Sequence, residues 1–205
     1  MSRLFLFDVD STLINEEVID LIGAKANLSS EISAITELAM LGQIDFNMAL
    51  TKRVELLSGL AVEILAEVRS EITLTNGAAE LISGLRNSGD EIAVISGGFV
   101  EVIAPLMKTL NIDYFKANSF EIHNEKLTGR VTGEIVNRMV KANYLTELKE
   151  QLNPKLTIAI GDGANDIDMV KAADIGIAFC AKPALKEVAD VVIDKRDLRE
   201  ILNYL

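Results

Sequence analysis

Two aspartates directly after a short apolar run are the first residues in the chain whose types and spacing suggest chemistry. Residues 4–7 read Leu-Phe-Leu-Phe, and Asp8 and Asp10 follow them, with Ser11 and Thr12 next. Carboxylates this close repel each other unless a positive charge lies beside them. The spacing therefore predicts that a cation holds the two aspartates at the end of a buried strand.

Two more polar clusters follow apolar runs further along the chain. The motif SGG at 96–98 comes after residues 92–95, and GDGAND at 161–166 comes after residues 156–160. Ligands of open α/β sheets bind beyond the carboxyl ends of the strands, so we expect the three clusters to converge. Carboxylates suit Mg²⁺, while a serine hydroxyl and a glycine amide suit a phosphate oxygen. The clusters predict a magnesium-assisted reaction on a phosphate group.

The runs that precede these clusters are apolar on consecutive residues, which is typical of strands buried on both faces of a parallel sheet. The predicted strands are residues 4–7, 92–95, 156–160, 175–179 and 191–193. Helical patterns alternate with them at 78–85, before Gly89, at 99–110, where Pro105 implies a kink or a late start, and at 145–152. This alternation predicts an α/β fold with a doubly wound, Rossmann-like parallel sheet.

Two segments interrupt the alternation. Residues 15–72 show only helical spacing, which predicts a helical cap domain inserted after the first strand, with 1–14 and 73–205 as the core domain. Residues 119–132 predict a β-hairpin that turns near 124–125. His123, the one histidine of the chain, falls beside that turn and is expected in solvent. Acid–base chemistry is therefore assigned to carboxylates, lysine or metal-bound water.

These motifs resemble those of the haloacid-dehalogenase (HAD) superfamily of aspartate-based phosphohydrolases. The likeness lies in DVDST at 8–12, SGG at 96–98, a lysine at 141 and GDGAND at 161–166. The helical insertion also resembles the cap at that superfamily's first insertion point. A closer likeness, to the branch that hydrolyses O-phospho-L-serine, covers essentially the whole chain through EVID at 17–20, AMLGQIDFNMALTKRV at 39–54 and KLTGRVTGEIV at 126–136.

The resemblance implies a reaction in two steps. Asp8 would attack phosphorus and become an aspartyl phosphate. Asp10 would protonate the leaving oxygen and then take a proton from the water that cleaves the acyl phosphate. Mg²⁺ would be held by Asp8, Asp162 and the backbone carbonyl of Asp10, and would offset charge on the phosphoryl oxygens.

The same resemblance assigns the phosphate group to Ser96, Gly97, Lys141 and Asn165. Lys141 is also expected to take part in catalysis, because a phosphate adds negative charge to a rim already lined by aspartates. Asp166 is expected to orient Lys141 or a metal-bound water. Its alternative role is that of an acid at a helix N-terminus, which the helix dipole favours.

Four cap residues are the basis for the expected substrate. Glu17 would face the ammonium group of phosphoserine, and Arg53 would grip its carboxylate with two parallel hydrogen bonds. Met40 and Phe46 would close over the bound molecule and exclude water. The alternatives are a solvated Glu17 and an ordinary cap core that contains Met40 and Phe46. The implied activity is hydrolysis of O-phospho-L-serine to L-serine and phosphate, the last step of serine synthesis.

Other functions fit parts of this pattern. The same chemistry would serve another small phosphomonoester, or transfer of the phosphoryl group to an acceptor alcohol. A phospho-accepting signalling module also pairs an aspartate with magnesium and a lysine on a doubly wound sheet. Asp10 argues against that module, since an acid–base group two residues away would destroy a long-lived acyl phosphate. A cap of this length also has no place in such a module.

The composition limits the partners and the compartment. The 31 acidic residues exceed the 20 basic ones, for a net charge of −11, so the basic surface that nucleic acid or an anionic membrane requires is not expected. No stretch approaches the roughly 18 apolar residues of a membrane helix. Cys180 has no second cysteine to pair with, which favours a reduced, cytoplasmic compartment. The sequence leaves monomer and homodimer open.

Overall fold

A computed structural model of the chain describes residues 2–40 and 43–205, apart from the side chain of Met40. In this part of the chain, one sheet contains the strands β1 (Arg3–Phe7), β2 (Glu91–Phe99), β3 (Tyr114–His123), β4 (Lys126–Thr132), β5 (Leu156–Gly161), β6 (Ile175–Phe179) and β7 (Val191–Ile193). Their order is β4-β3-β2-β1-β5-β6-β7, with β4 antiparallel to β3 and the other pairs parallel. The strand order reverses between β1 and β5, so ligands are expected beyond the carboxyl ends of these two strands.

Consecutive apolar residues explain the burial of the central strands. In β1, Phe5 and Phe7 belong to one hydrophobic core, whereas Leu4 and Leu6 belong to the core on the other face of the sheet. All four side chains are fully buried. The predicted parallel sheet and its five strands are confirmed, but β2 extends beyond the predicted residue 95 and includes the SGG motif.

The helices of the described residues are α1 (Val18–Lys25), α2 (Ser29–Met40), α3 (Phe46–Leu56), α4 (Ile64–Glu71), α5 (Ala78–Asn87), α6 (Val100–Thr109), α7 (Arg138–Leu152), α8 (Ile167–Ala172) and α9 (Pro183–Lys186). Each is too short or too polar to cross a membrane. The predicted start of α7 at residue 145 is wrong, because the helix begins seven residues earlier. Its first turns bury Lys141, a charged residue at a core position, which interrupts the apolar pattern.

Pro105 lies inside α6 without delaying its start. The helix begins at Val100, so the late start considered from the sequence is wrong. Proline has no N–H to donate to the carbonyl four residues before it, which here belongs to Glu101. The guanidinium of Arg69 donates to that carbonyl at 2.9 Å. A side chain from α4 thus replaces the missing helical hydrogen bond and ties α4 to α6.

The two segments that connect residues 15–72 to the sheet domain lie side by side. An antiparallel bridge joins Ile14 to Leu74. Next to it, the Asn15 N–H donates to the Thr73 carbonyl, and the Thr75 N–H donates to the Leu13 carbonyl, both at 3.0 Å. Helices α1–α4 all lie between these two connecting segments in sequence. This connection supports our proposal that residues 15–72 form a cap domain and that 1–14 and 73–205 form the core.

The cap has a second contact with the core, at the predicted hairpin. Strands β3 and β4 form this hairpin, and its turn residues Asn124 and Glu125 have φ angles of 48° and 58°, while His123 is exposed beside them. Cap residue Gly59 donates its N–H to the Leu127 carbonyl at 2.8 Å, and the Leu127 N–H donates to the Leu60 carbonyl at 2.9 Å. Residues 59–62 therefore extend along the start of β4 much as another strand would.

A substitution at Gly129 of β4 would test how closely the cap packs against the hairpin. Its φ is +85°, and a Cβ there would lie 2.9 Å from the Ser58 Cβ and 3.3 Å from the Glu55 carbonyl oxygen. We expect Gly129→Ala to lower the free energy of unfolding by about 2–4 kcal/mol, from backbone strain plus the clash with the cap. Urea unfolding measures this change.

Gly133→Ala is the matched control. Gly133 has a similar φ of +72°, but a Cβ there would meet no atom within 4 Å. We expect the control to lose only about 1 kcal/mol, the cost of the left-handed conformation. Equal losses in both variants would show that the cap does not press on β4.

Candidate active site

The turn after β1 presents the first two aspartates. The Asp8 N–H extends the β1–β5 ladder by donating to the Ile160 carbonyl at 2.9 Å. The chain then forms one wide turn, Val9–Leu13, in which Ser11 has a φ of 57°. Such left-handed conformations are strained for residues other than glycine and recur at functional sites. The turn directs the carboxylates of Asp8 and Asp10 into the same cavity.

The loop after β5 is organised by Asp166. Its Oδ2 accepts hydrogen bonds from the backbone N–H groups of Asp162 (3.1 Å) and Gly163 (3.0 Å). Asp166 is fully buried, and it packs so closely under Gly161 that a Cβ at Gly161 would lie 2.5 Å from its Cγ. Gly161 is therefore needed because a side chain there would clash with Asp166. Asp166 in turn holds the backbone that carries Asp162.

Lys141 connects the two strand ends. It lies in the first turns of α7 with no solvent exposure, and its Nζ is 2.7 Å from Asp8 Oδ1 and 2.7 Å from Asp166 Oδ1. Burial alone would lower the pKa of this lysine, but the charges of Asp166 and Asp8 raise it above its ordinary value, so the ammonium stays charged. A buried ammonium needs such partners, since an unpaired buried charge is strongly destabilising.

The carboxylates of the site outnumber their cation. Burial raises the pKa of Asp8 and of Asp10 well above the usual range, and the charges of Asp166 and Glu17, respectively, raise them further. Burial, together with the charge of Asp166, also raises the pKa of Asp162 to about 7. One lysine does not neutralise this cluster, so a bound cation would favour its ionised form.

The arrangement fits a hard divalent cation. Carboxylate oxygens of Asp8, Asp162 and Asp166 all lie within 4.8 Å of one another. Both oxygens of Asp166 already accept hydrogen bonds, from Lys141 and from two backbone N–H groups. Asp8 and Asp162 are therefore the carboxylates that would hold the ion, and Asp166 supports them from behind. In addition, Asp10 Oδ1 is buried without a hydrogen-bond partner among the described residues.

A cavity of about 630 Å³ lies above these residues and below the cap, and we call it the central cavity. Its walls bring together the expected residues Asp8, Asp10, Glu17, Phe46, Arg53, Gly97, Asp162 and Asn165. Lys141, Asp166 and Ser96 are fully buried and do not line it; the first two lie behind Asp8. The side chain of Met40 lies outside the described part of the chain, so its expected role stays a prediction.

The SGG motif belongs to β2, although the sequence suggested that it follows the strand. The pairing of β2 with β3 changes register between Ile95 and Phe99, which distorts this stretch. The Ser96 hydroxyl oxygen accepts from the Gly98 N–H at 2.8 Å, and the Asn118 side chain donates to the Gly97 carbonyl at 2.8 Å. The irregular pairing, held by these bonds, turns the glycines toward the central cavity.

The cap contributes residues of opposite charge to the central cavity. Glu17 precedes α1 and accepts a hydrogen bond from the Ser11 hydroxyl at 2.6 Å; burial raises its pKa. Arg53 comes from α3, where its Nε donates to the Ala49 carbonyl at 3.3 Å, and burial lowers its pKa. Glu17 therefore lines the cavity while it remains exposed to solvent.

Two cations of the cavity wall, Arg138 and Lys182, lie outside the motifs recognised in the sequence. Arg138 was overlooked because α7 was expected to start after it. Lys182 follows β6 by three residues, so the rule that ligands bind beyond strand ends would have found it. Its neighbours in sequence are apolar, and no charge cluster drew attention to that strand end.

The chain matches the family model described as haloacid dehalogenase-like hydrolase over residues 5–171. It is 46% identical over 205 residues to the phosphoserine phosphatase of Methanocaldococcus jannaschii, an alignment that covers 99% of this chain and 97% of that protein. It is 47% identical over 204 residues to the phosphoserine phosphatase of Lactococcus lactis subsp. lactis, covering 98% and 94%. The chain belongs to the haloacid dehalogenase-like hydrolase family.

Two solved structures are similar to this chain over their whole length. One is described as a phospho-aspartyl intermediate analogue of phosphoserine phosphatase, with a TM-score of 0.93, 46% identity and coverage of 100% of this chain and 99% of that one. The other is a substrate-bound phosphoserine phosphatase complex, with a TM-score of 0.94, 45% identity and the same coverage. These likenesses extend through the cap as well as the sheet domain.

The raised pKa of Asp162 predicts a pH dependence of stability. Its pKa of about 7 in the folded chain lies above the ordinary value of 3.8, so ionisation opposes folding as pH rises between these values. We expect the free energy of unfolding of the metal-free protein to fall over this range, and to fall less in Asp162→Asn. Chemical unfolding in the presence of a chelator at several pH values measures both slopes.

Asp168→Asn is the control for this experiment. Its hydrogen bond from Arg138 holds the pKa of Asp168 below the usual range, so its removal should leave the fall between about pH 4 and pH 7 in place. A wild-type slope in Asp162→Asn would contradict the assignment of a raised pKa to Asp162.

Proposed function

We propose that this chain is a phosphoserine phosphatase, which hydrolyses O-phospho-L-serine to L-serine and phosphate. The observation that carries the proposal is the charge arrangement of the central cavity. Asp8 and Asp10 lie on its sheet side, while Glu17 and Arg53 enter from the cap. Such a cavity offers reactive carboxylates to the phosphate of a ligand. It also offers Glu17 to an ammonium group and Arg53 to a carboxylate. The near full-length similarity to phosphoserine phosphatases supports the same activity.

The first step is phosphoryl transfer to Asp8. An oxygen of its carboxylate attacks phosphorus, the bond from phosphorus to the serine oxygen breaks, and an aspartyl phosphate forms. The departing oxygen takes a proton from Asp10, whose raised pKa favours the protonated form that this role requires. Lys141, 2.7 Å from Asp8 Oδ1, opposes the effect of burial on the pKa of the nucleophile and fixes its orientation.

The second step is hydrolysis of the aspartyl phosphate. Asp10, now ionised, takes a proton from a water molecule, and the resulting hydroxide attacks phosphorus. The bond between phosphorus and the Asp8 oxygen breaks, which releases phosphate and returns Asp8 to its carboxylate form and Asp10 to its protonated form. The proximity of Asp10 to Asp8 makes a stable phosphoprotein unexpected, so a signalling role is not favoured.

Binding of the phosphate is assigned to Gly97 and Asn165 on the cavity wall, and to Ser96 and Lys141 beneath it. An ammonium has three N–H donors, and two of those of Lys141 face Asp8 and Asp166, so the third remains for a phosphate oxygen. We also propose that the resident cation is Mg²⁺, held by Asp8, Asp162 and the Asp10 carbonyl. When bound, it supplies positive charge to the phosphoryl oxygens.

The specificity for serine is assigned to the cap. Glu17 would pair with the substrate ammonium, and Arg53 would bind the carboxylate through two parallel hydrogen bonds. Phe46 borders the cavity beside Gly97, where a Cβ on the glycine would lie 3.3 Å from the ring Cζ. A phenyl ring this close to the phosphate-binding backbone would help to exclude water, and Met40 is proposed to assist it.

Phosphate release tests the proposed activity directly. With Mg²⁺ present, the purified protein should release phosphate from O-phospho-L-serine, and a chelator should abolish the release. Asp8→Asn should lower kcat by about 10⁴-fold or more, because an amide oxygen is a poor nucleophile. A panel of other phosphomonoesters and of acceptor alcohols separates this activity from its closest alternatives. Preference for another ester, or near wild-type turnover by Asp8→Asn, would refute the assignment.

Arg53→Lys tests the recognition of the substrate carboxylate. We expect KM for phosphoserine to rise about 10- to 100-fold, since lysine cannot reproduce a bidentate contact. Phosphoethanolamine, which has the ammonium but no carboxylate, should show little change in steady-state kinetics. Lys52→Ala, at an exposed position next in sequence, is the control and should behave as wild type. Equal losses on both substrates would assign Arg53 to the structure of the cap.

A further inference from the structure

Lys182 is fixed by its backbone beside the catalytic strand ends. After β6, Cys180 adopts a left-handed φ of 46°, which turns the chain back across the edge of the sheet. The Lys182 N–H then donates to the Asp162 carbonyl at 2.8 Å. Lys182 itself is extended, as expected for a residue before a proline, and Pro183 begins α9. This geometry holds the α-carbon of Lys182 next to the loop that carries Asp162.

The side chain of Lys182 is available for a ligand. It lines the central cavity together with Gly163 and Asn165, and it is exposed to solvent. In the part of the chain that the structure describes, it forms no ion pair with a carboxylate. Arg138, the other cation on this wall, already forms an ion pair with Asp168 at 2.5 Å.

The negative charge around the cavity opposes the approach of an anionic ligand, which a cation such as Lys182 would counteract. The chain has a net charge of −11, and four carboxylates line the cavity: Asp8, Asp10, Glu17 and Asp162. A phosphomonoester, which is itself an anion, must approach against this field. Lys141, the cation deepest in the site, is fully buried behind Asp8, so the phosphate can meet it only after the substrate has entered the cavity.

We propose that Lys182 is a further substrate-binding residue, whose ammonium attracts the phosphate group at the solvent-exposed side of the central cavity before it reaches Asp8. The proposal rests on the proposed function only in requiring a ligand with a phosphate group. Because the contact forms in binding and lies outside the reacting atoms, it should affect KM and phosphate affinity and leave kcat nearly unchanged. Because the side chain is exposed, the effect should weaken with salt.

The test compares Lys182→Gln with Lys186→Gln and Lys182→Arg. Lys186 follows four residues later, pairs with Asp194 and does not line the cavity, so its loss changes the net charge equally. The dissociation constant of inorganic phosphate is measured calorimetrically with Mg²⁺ present. KM and kcat are measured on phosphoserine and on para-nitrophenyl phosphate. Each measurement is made at ionic strengths of about 0.01 M and about 1 M, where the Debye lengths are roughly 30 Å and 3 Å.

We expect Lys182→Gln to weaken phosphate binding and raise KM about five-fold at low salt, the size of one unit-charge contact in water. The difference from wild type should disappear at high salt, Lys182→Arg should restore affinity, and Lys186→Gln should match wild type. Equal behaviour of Lys182→Gln and Lys186→Gln would overturn the proposal, as would a salt-independent loss of kcat. If the wild type hydrolyses para-nitrophenyl phosphate but not phosphoserine, the substrate assignment fails, while phosphate affinity still decides the role of Lys182.

Discussion

The site depends on one buried ammonium held between two carboxylates. Lys141 reaches Asp8 at the end of β1 and Asp166 after β5, at 2.7 Å from each. Asp166 in turn holds the backbone of Asp162, so one lysine links helix α7, the proposed nucleophile and the loop of a proposed metal ligand. None of the three charges can lose its partner in this dry environment without a large penalty. Their relative positions are therefore set before any ligand arrives.

The same contact leaves the site short of positive charge. Asp8 and Asp166 share a single cation, while Asp10 and Asp162 have raised pKa values and no basic partner at contact distance among the described residues. This imbalance suits an enzyme that must bind a divalent ion and a phosphate together. The topology explains where it arises, since β1 and β5 are the neighbours at which the strand order reverses.

Local patterns were enough to predict the sheet and the polar strand ends that border the cavity. Consecutive apolar residues marked the strands, and the polar residues after β1 and β5 marked the cavity. Prediction failed where tertiary contacts override local preference. Lys141 sits at a core position that only its two distant carboxylates make tolerable, so the first turns of α7 were missed. The SGG motif resembles a turn, yet pairing with β3 keeps it in β2. Lys182 follows the end of β6 by three residues, but no cluster of charged residues marks that strand end in the sequence.

The contact between the cap and the hairpin also covers part of an outer strand of the sheet. β4 is the outermost strand on its side of the sheet, and a bare outer strand offers unpaired N–H and carbonyl groups to other molecules. Residues 59–62 occupy that position at the start of β4 through the bonds of Gly59, Leu60 and Val62. The proposed cap thus also covers the start of this outer strand, so removing it would expose that edge to self-association as well as opening the cavity.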